Sequence, residues 1–326
     1  MLKVTVLMSV YNGQRYLAGA MESILNQSFK DFEFLIVNDG SMDRTAEILQ
    51  GYSDCRIKII NNEKNIGLTK SLNEGAQIAR GKYIARMDAD DISLPERLEK
   101  QVVFLDEHAD VALVGTNFLH INAQGEQLTT VVVPTQNDEL QEKLLKQNCF
   151  CHGSVMFRRD VFDEIGYYSE EFKYAQDYDL FLRIAEHFNI ANLKEVLYRW
   201  RLDEGAISIT NRSEQERYAF LARELARQRR WIGDKQGKKI YVQKKWKDAK
   251  KSKQCVFSEF YFSYGTSSFL GDKKEEARRQ FLISWKYNPF NLRAILYLWF
   301  TFLPKGVVKT MRFCKRKVLF LFQGGR

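Results

Sequence analysis

Proline, cysteine and long apolar runs are all scarce in this chain. Four prolines and 13% aromatic residues among 326 residues exclude a collagen-like, mucin-like or low-complexity protein. No stretch reaches the ~18 to 20 uninterrupted apolar residues that a membrane-spanning helix needs. With 45% hydrophobic residues, the chain has the composition of a globular protein with a sizeable core.

Five cysteines are scattered along the chain, and the opening residues MLKVTVLMSVYNG show no signal-peptide pattern. Both features indicate a reduced, cytosolic protein. The segment Cys149-Phe150-Cys151-His152 contains metal-ligand residue types, but no second Cys/His pair lies at zinc-site spacing. We therefore predict cysteines of the core or of a site wall rather than a zinc site.

Charge is divided unequally along the chain. Residues 1–211 contain 22 Lys+Arg and 32 Asp+Glu, a net charge of −10, whereas residues 212–326 contain 28 and 9, a net charge of +19. The split predicts an acidic domain over 1–211 and a basic region over 212–326. The basic region should attract anions such as phospholipid head groups, phosphates or nucleic acid.

The first 90 residues alternate short apolar runs with segments of helical periodicity, which predicts an α/β domain with a mostly parallel sheet. The predicted strands are Val4–Val10, Phe32–Asn38, Ile57–Ile60 and Tyr83–Met87. Further on, Asn122-Ala123-Gln124-Gly125 reads as a hairpin turn between two more strands, so the sheet should be mixed. From Glu214 onward helical patterns dominate.

Each of the first four predicted strands ends in a short polar segment. These segments are Tyr11-Asn12-Gly13, Asn38-Asp39-Gly40-Ser41, Asn65-Ile66-Gly67 and Asp88-Ala89-Asp90-Asp91. Any one of them alone could be an ordinary turn. Four at the same edge of a parallel sheet predict a ligand site there, because ligands bind beyond the carboxyl ends of the strands.

The fourth segment concentrates negative charge. Asp88, Asp90 and Asp91 follow an apolar strand directly, and carboxylates so close together favour a compensating hard cation, Mg²⁺ or Mn²⁺, shared with substrate phosphates. The alternative is an acidic turn that caps the helix beginning near Pro95.

Five motifs in order resemble one enzyme family. They are VTVLMSVYNG, SILNQSF, FLIVNDGSMDRT, NIGLTKSLNEGAQIARGKYIARMDADD and AQDYDLFLRIA. Over about residues 3 to 210 the chain is similar to the inverting family 2 nucleotide-sugar glycosyltransferases with the GT-A fold, a Rossmann-like nucleotide-binding domain. The resemblance implies that residues 1–211 form the catalytic domain and residues 212–326 a C-terminal helical region.

The resemblance assigns donor-binding roles to matching positions. Tyr11 and Asn12 would pack against the base, and Asp39 would hydrogen-bond the uracil ring. Asn65, Gly67 and Asn73 would shape the floor of the donor site. Asp88 would approach the ribose or the sugar, and Asp90 would hold the metal at the diphosphate.

Asp177, in Gln176-Asp177-Tyr178-Asp179, matches the general base of the family, although Gln176 stands where the family often has Glu. A single base on the side opposite the leaving diphosphate implies inversion at the anomeric carbon. Asp179, two positions further on, is an alternative base. Asp is also a common residue at helix starts, so Asp177 alone could be a cap.

Four more positions match wall segments of the family site. His152 and Asp91 would lie near acceptor or donor sugar, as would Trp200 in Tyr198-Arg199-Trp200-Arg201. Arg201 stands where some members have a metal- or diphosphate-binding His. Because arginine binds phosphate oxygens but not metals, we expect Arg201 to contact the diphosphate.

The C-terminal region has a separate prediction. Residues 235–253 are rich in lysine, and the apolar run Ala294–Leu303 is followed by Lys309, Arg312 and further basic residues up to Phe322. A basic amphipathic end with Trp, Phe and Leu favours binding to an anionic membrane surface. The alternative is a buried terminal helix or a dimer contact.

Together these features predict a metal-dependent inverting glycosyltransferase at the inner face of the plasma membrane. It would move a sugar from a nucleotide diphosphate, with UDP as the expected nucleotide, to a glycan or lipid-linked acceptor in cell-surface polysaccharide synthesis. Two alternatives are a sugar-phosphate nucleotidyltransferase, although Met8–Gly13 lacks the expected glycine-rich loop with Arg and Lys, and a nucleic-acid-binding protein. Since no nucleic-acid-binding module is present, we expect no nucleic-acid partner.

Overall fold

The computed structural model describes residues 2–202, 212–235, 258, 261–262, 265–266, 268–269 and 273–302. Contacts divide the chain into two units, Met1–Trp231 and Ile232–Arg326. This division lies beyond the predicted boundary at residue 211 because a basic helix that follows the boundary packs on the first unit. In that helix, Arg229 pairs with Glu186 over 2.7 Å.

One nine-stranded sheet forms the centre of the first unit. Its strands are β1 (Val4–Val10), β2 (Phe32–Asn38), β3 (Ile57–Asn61), β4 (Tyr83–Asp88), β5 (Ile92–Ser93), β6 (Val111–Ile121), β7 (Gln127–Val131), β8 (Met156–Arg158) and β9 (Asn189–Arg201). The strand order is β3-β2-β1-β4-β8-β6-β9-β5, and β7 pairs with β6. β1 to β4 pair in parallel, whereas β8 pairs antiparallel with both neighbours, so the predicted mixed α/β sheet is confirmed.

Helices connect the strands of this unit, and one more helix follows the last strand. They are α1 (Leu17–Leu25), α2 (Thr45–Gln50), α3 (Leu68–Ile78), α4 (Arg97–Glu107), α5 (Asn137–Leu144), α6 (Val161–Ile165), α7 (Gln176–His187) and α8 (Arg212–Lys235). A short 3₁₀ turn, His152–Ser154, precedes β8. All residues of β1 and β2 are buried, which is typical of parallel strands that are covered on both faces.

Strand register brings the polar loops together. Asn38 pairs with Val10 and with Asn61, and Asp88 lies opposite Ser9, so the loops after β1 to β4 leave the same edge of the sheet. β9 also ends at this edge of the sheet, because it runs parallel to β6. It pairs antiparallel with β5, the short strand that follows the acidic loop.

The second unit contains α9 (Lys274–Tyr287) and α10 (Leu292–Phe300). Phe269, Ala277 and Phe281 form its buried cluster. Among the described residues, no helix is both long enough and apolar enough to span a bilayer. Most of the lysine-rich segment 235–253 and all of the basic end 303–326 lie outside the described residues.

Candidate active site

The loops after β1 and β2 are joined by side-chain hydrogen bonds. The backbone N–H of Asn12 donates to Ser41 Oγ over 3.0 Å, and the N–H of Met42 donates to Asn12 Oδ1 over 2.9 Å. Asn12 has a φ of +53°, a left-handed conformation that asparagine tolerates in turns better than most non-glycine residues. The neighbouring Tyr11 ring is 44% exposed, so it is accessible to a ligand at this edge.

Asp39 organises the loop after β3. It is buried, and its carboxylate accepts hydrogen bonds from the N–H groups of Ile66 and Gly67, both over 2.9 Å, and from the amide of Asn62 over 3.1 Å. Among the described residues, Gly67 N–H is the one donor to Oδ2, which leaves that oxygen capacity for one further donor. The structure therefore brings Asp39, Asn65 and Gly67 together as predicted, while the contact of Asp39 with a base stays a prediction.

Gly40 allows this close approach. A Cβ on Gly40 would lie 2.6 Å from the backbone nitrogen of Asn65, and its φ of +67° also favours glycine. The NDGS segment and the loop containing Asn65 thus pack backbone against backbone.

The acidic loop after β4 holds three carboxylates in different environments. Asp88 Oδ1 pairs with Nη2 of the buried Arg86 over 2.5 Å, and Asp91 Oδ1 accepts the backbone N–H of Arg201 over 2.7 Å. Burial, and after it the charge of Asp88, raise the pKa of Asp90 to about 6. Burial likewise raises the pKa of Asp91 well above its usual value. This loop would be stabilised by a cation.

The residues present fit a metal that takes part of its shell from substrate. Within the described ranges, no three His, Cys, Asp or Glu side chains form a complete protein-only metal site. Asp88 and Asp91 are engaged by Arg86 and Arg201, whereas no hydrogen bond from another described residue reaches the Asp90 carboxylate. Proteins usually bind Mg²⁺ through one or two carboxylates, and phosphate oxygens and water complete its coordination shell.

Arg201 connects three segments of the site. Its Nε donates to the carbonyl of Asp90 over 2.8 Å, and its Nη1 donates to the carbonyls of Asn122 and Ala123 over 2.9 and 3.1 Å. The guanidinium also lies 4.4 Å from the centre of the Tyr16 ring. Since these contacts hold the acidic loop against the hairpin turn, Arg201 has a structural role that the sequence did not indicate, and its contact with a diphosphate stays a prediction.

Asp177 lies in the first turn of α7 and accepts a hydrogen bond from the Asn148 amide over 3.1 Å. Ala175, the residue just before the helix, adopts a left-handed conformation with a φ of +54°, which turns the chain into α7. Burial raises the pKa of Asp177 to about 6, and the charge of Asp88 also raises it. Asp88 and Asp177 are therefore close enough for the charge of one to affect the pKa of the other.

The alternative base Asp179 is engaged elsewhere. It is buried and pairs with Arg183 over 2.9 Å within the same helix. Arg183 also donates to the carbonyls of Ile165, Gly166 and Tyr167. This arrangement favours Asp177 as the carboxylate that faces a substrate.

His152 lies beside a tyrosine that the sequence analysis missed. The His152 Nε2 and the Tyr168 hydroxyl are 3.1 Å apart, and burial lowers the pKa of His152 well below its usual value. Asn73 clamps the backbone of Tyr168, because its amide donates to the carbonyl and its Oδ1 accepts the N–H. His152 is thus a neutral group fixed near the 3₁₀ turn.

Trp200 lies at the end of β9, next to Arg201. Its ring centre is 5.1 Å from that of His120 and 5.8 Å from that of Phe118. Cys149 and Cys151 are free and buried, as expected for core or wall cysteines.

Of the missed residues, only Arg86 carried a signal in the sequence, a single charge within an apolar strand. Asn148 and Tyr168 carried none, because distant contacts place them.

Polar loops and an acidic loop at the carboxyl edge of a mostly parallel sheet, with a carboxylate in the first turn of α7, are typical of a glycosyltransferase of the GT-A fold. Residues 5–166 match the family described as Glycosyl transferase family 2. The chain is 40% identical over 210 residues to the putative glycosyltransferase EpsE of Bacillus subtilis, covering 63% of this chain and 74% of EpsE. This chain belongs to glycosyl transferase family 2.

Two further comparisons agree. The O-antigen biosynthesis glycosyltransferase WbnJ of Escherichia coli is 35% identical over 233 residues, which cover 69% of this chain and 90% of WbnJ. The crystal structure of S. aureus TarS 1-349 in complex with UDP-GlcNAc superposes with a TM-score of 0.58 at 18% identity, covering 91% of this chain and 89% of TarS 1-349. The predicted fold and family are confirmed.

Proposed function

We propose that this glycosyltransferase inverts the anomeric carbon of a sugar that it takes from a nucleotide diphosphate, with Asp177 as the base. The observation that carries the proposal is the environment of Asp177. This residue lies in the first turn of α7, accepts a hydrogen bond from Asn148, and has a pKa that the charge of Asp88 raises. Asp179, the neighbouring carboxylate, is neutralised by Arg183. Of the two carboxylates in the first turn of α7, Asp177 is therefore the one without an ion pair, which suits a single displacement.

In this step, an acceptor hydroxyl attacks the anomeric carbon, and its proton passes to Asp177. The bond from the anomeric carbon to the diphosphate breaks, and its electron pair leaves with the diphosphate. A carboxylate whose pKa is about 6 is ionised at neutral pH yet basic enough to take a proton in the transition state.

The donor site is the edge formed by Tyr11, Asn12, Asp39 and the loop containing Asn65 and Gly67. UDP is the proposed nucleotide, because Asp39 Oδ2 can accept one more donor, such as a ring N–H of uracil, and because TarS was crystallised with UDP-GlcNAc. Asp90, with Asp88 beside it, would hold Mn²⁺ or Mg²⁺. When bound, such an ion neutralises charge that develops on the leaving diphosphate.

The acceptor is proposed to be a glycan or lipid-linked glycan of a cell-surface polysaccharide, in line with the O-antigen biosynthesis role in the name of WbnJ. We place the reaction at the cytoplasmic membrane surface. Support comes from the exposed apolar stripe of α10, formed by Leu292, Ile295, Leu296 and Trp299, in a region of net charge +19.

The test of the base is Asp177→Asn in the full chain. We expect transfer to fall by about 10² to 10⁴-fold, since the variant cannot take the proton, while UDP-sugar binding by calorimetry stays within about twofold of wild type. Thermal denaturation of both proteins checks the fold. Full transfer activity in Asp177→Asn would remove the assignment.

Donor and metal are tested by a thermal-shift panel of nucleotides and nucleotide sugars with and without Mn²⁺. Selective stabilisation by one uridine compound, larger with Mn²⁺, is expected because ligands stabilise a fold in proportion to binding. Asp90→Asn should lose the Mn²⁺ increment and retain part of the metal-free shift. Equal shifts with and without Mn²⁺ in wild type would argue against a metal cofactor.

A further inference from the structure

Helix α8 lies in the basic region but packs against α7, the helix that begins beside the base. The Tyr218 ring centre is 6.0 Å from that of Tyr174, just before α7, and Arg229 pairs with Glu186 near the end of α7. α8 therefore runs alongside α7 in the same direction. The side of α8 that is buried against the domain is formed by Leu221, Ala222, Leu225 and Ala226.

An arginine of α8 holds the first turn of α7 against the end of α5. Arg223 donates a hydrogen bond to the hydroxyl of Tyr178, and its guanidinium lies 5.9 Å from the centre of the Tyr178 ring. The same hydroxyl donates to the carbonyl of Leu144, the last residue of α5. Tyr178 is buried and directly follows Asp177, so these contacts fix the backbone next to the base.

Arg227, one turn further along α8, makes a second contact with this end of α5. Its Nη2 donates to the carbonyl of Leu145 over 2.9 Å. Asn148 follows three residues later and donates to Oδ2 of Asp177. The hydrogen bond of the base therefore joins the two segments that α8 holds together. Because a hydrogen bond weakens steeply with poor geometry, its strength depends on how firmly these segments are held.

Contacts at the other end of α8 are distant from the base. Nε and Nη2 of Arg229 bind both carboxylate oxygens of Glu186, each over 2.7 Å. Glu186 lies nine positions after Asp177, about 13 Å along the axis of α7. This ion pair anchors α8 to the domain without touching the segments that form the Asn148–Asp177 hydrogen bond.

We propose that α8 belongs to the catalytic domain and that Arg223 is a positioning residue for the base. Arg223 fixes Tyr178, Tyr178 fixes the end of α5, and the Asn148 amide is thereby directed at Asp177. The proposal rests on the proposed function, because this position matters for transfer only if Asp177 is the base. It also assigns part of the positive charge of the basic region to the active site and not to an external anion.

The first test measures the Asn148 hydrogen bond in the full chain without substrate. NMR spectra record the side-chain amides of protein labelled with ¹⁵N-asparagine, and Asn148→Ala assigns the Asn148 resonances. In Arg223→Met, which keeps a long side chain but loses the donor, we expect these resonances to move toward those of a solvent-exposed amide. Arg229→Met, the control of the same residue type on the same helix, should leave them in place.

The second test uses the pH profile of transfer. Arg223→Met should move the acidic limb of kcat/KM up by about 0.3 to 0.5 pH units, because a weaker hydrogen bond from Asn148 stabilises ionised Asp177 less. In an Asn148→Ala background, the same substitution should move the limb by less than about 0.1 pH units. Asp88 and Tyr168, which also interact electrostatically with Asp177, are the same in all of these variants.

Three results would overturn the proposal. Equal shifts of the acidic limb in both backgrounds would mean that the charge of Arg223 acts directly on the base. Asn148 resonances that Arg223→Met leaves in place, or that Arg229→Met moves equally, would show that α8 has only a general structural role. Urea denaturation identifies the folded variants, and Arg227→Met, at an exposed position, repeats both measurements on the second contact with α5.

Failure here is separable from failure of the proposed function. The amide resonances are measured without donor and without turnover, so they report the Asn148 hydrogen bond whatever the role of Asp177. Loss of the base assignment would appear as full activity in Asp177→Asn, with the response of the Asn148 resonances to Arg223→Met unchanged.

Discussion

The side-chain amide of Asn148 donates a hydrogen bond to Oδ2 of Asp177 over 3.1 Å. Burial raises the pKa of Asp177 by more than the hydrogen bonds from the backbone of Tyr178 and from Asn148 lower it, so that the pKa is about 6. Because the amide binds the ionised carboxylate, Asn148 stabilises the form of Asp177 that can act as a base.

Asn148→Ala should therefore move the pH profile. Transfer by the wild type should fall as the pH drops through about 6, because Asp177 becomes protonated and can no longer accept the proton. Loss of the amide removes support for the charged form, so the acidic limb of kcat/KM should move up by about half to one pH unit. At pH 8, Asp177 is ionised in both the wild type and Asn148→Ala. The kcat of the variant should therefore remain close to that of the wild type.

The control for this experiment is Lys146→Ala, on the exposed surface two positions away. It should leave the acidic limb in place. A uniform loss of activity at every pH in Asn148→Ala would mean that the residue acts on structure and not on the base.

Asp39 gives a prediction about stability. Its carboxylate accepts the N–H groups of Ile66 and Gly67, and Asp39→Asn replaces one acceptor oxygen with an NH₂ group that faces one of these donors. A buried donor without a partner costs about 1 to 3 kcal/mol, so the free energy of unfolding should fall by that amount. Urea denaturation measures the change, and calorimetry with UDP should show weakened binding.

Asp31→Asn is the matched control, because Asp31 is exposed and no side-chain contact depends on it in the described part of the chain. Its unfolding free energy should stay within about 0.5 kcal/mol of wild type. If Asp39→Asn were as stable as Asp31→Asn, the loop after β3 would not depend on the Asp39 carboxylate.

Local pattern was sufficient to predict the parallel half of the sheet. β1 and β2 have the predicted bounds, since a short run of β-branched and aromatic residues between polar loops specifies a buried strand. The order of the loops at the carboxyl edge followed from the parallel topology. Asp39, Asn65, Gly67 and the acidic loop therefore lie where the sequence placed them.

Contacts between distant segments could not be predicted in this way. Asn148 lies 29 positions before Asp177, and nothing in its own neighbourhood marks it as a partner of the base. Strand pairing brings Arg201 to the carbonyls of Asn122 and Ala123, two contacts that its own segment of sequence does not indicate. The number of hydrogen-bond donors that a side chain has available for a ligand depends on its neighbours in the folded chain.

The apolar stripe of α10 predicts membrane binding. Trp299 is 62% exposed and Phe302, just beyond the helix, is 65% exposed. A double variant, Trp299→Ala with Phe302→Ala, should bind phosphatidylglycerol vesicles at least about tenfold more weakly, since each aromatic ring contributes roughly 1.5 to 3 kcal/mol when buried. Co-sedimentation at low and high salt also measures the contribution of basic residues.

Val103→Ala serves as the control for the vesicle experiment, because Val103 is 49% exposed but lies on α4 of the first unit. It should bind vesicles like the wild type. Equal vesicle binding by the double variant and the wild type would show that α10 is not the membrane contact, and a face for a second copy of the chain would then be tested by sedimentation.

Gly153 is packed between two residues of the acidic site. A Cβ at this position would lie 1.9 Å from the Tyr198 hydroxyl and 2.8 Å from Asp88 Oδ2, and Tyr198 is completely buried. Gly153→Ala should therefore force Asp88 or Tyr198 to move, lowering the free energy of unfolding by about 1 to 3 kcal/mol and reducing transfer activity. Gly19→Ala is the matched control, since its Cβ would meet only Ile92 Cδ1, at 3.7 Å, and alanine favours the helix. The control should be as stable as wild type or slightly more stable, and similar urea midpoints and activities for the two variants would show that the 3₁₀ turn does not position Asp88.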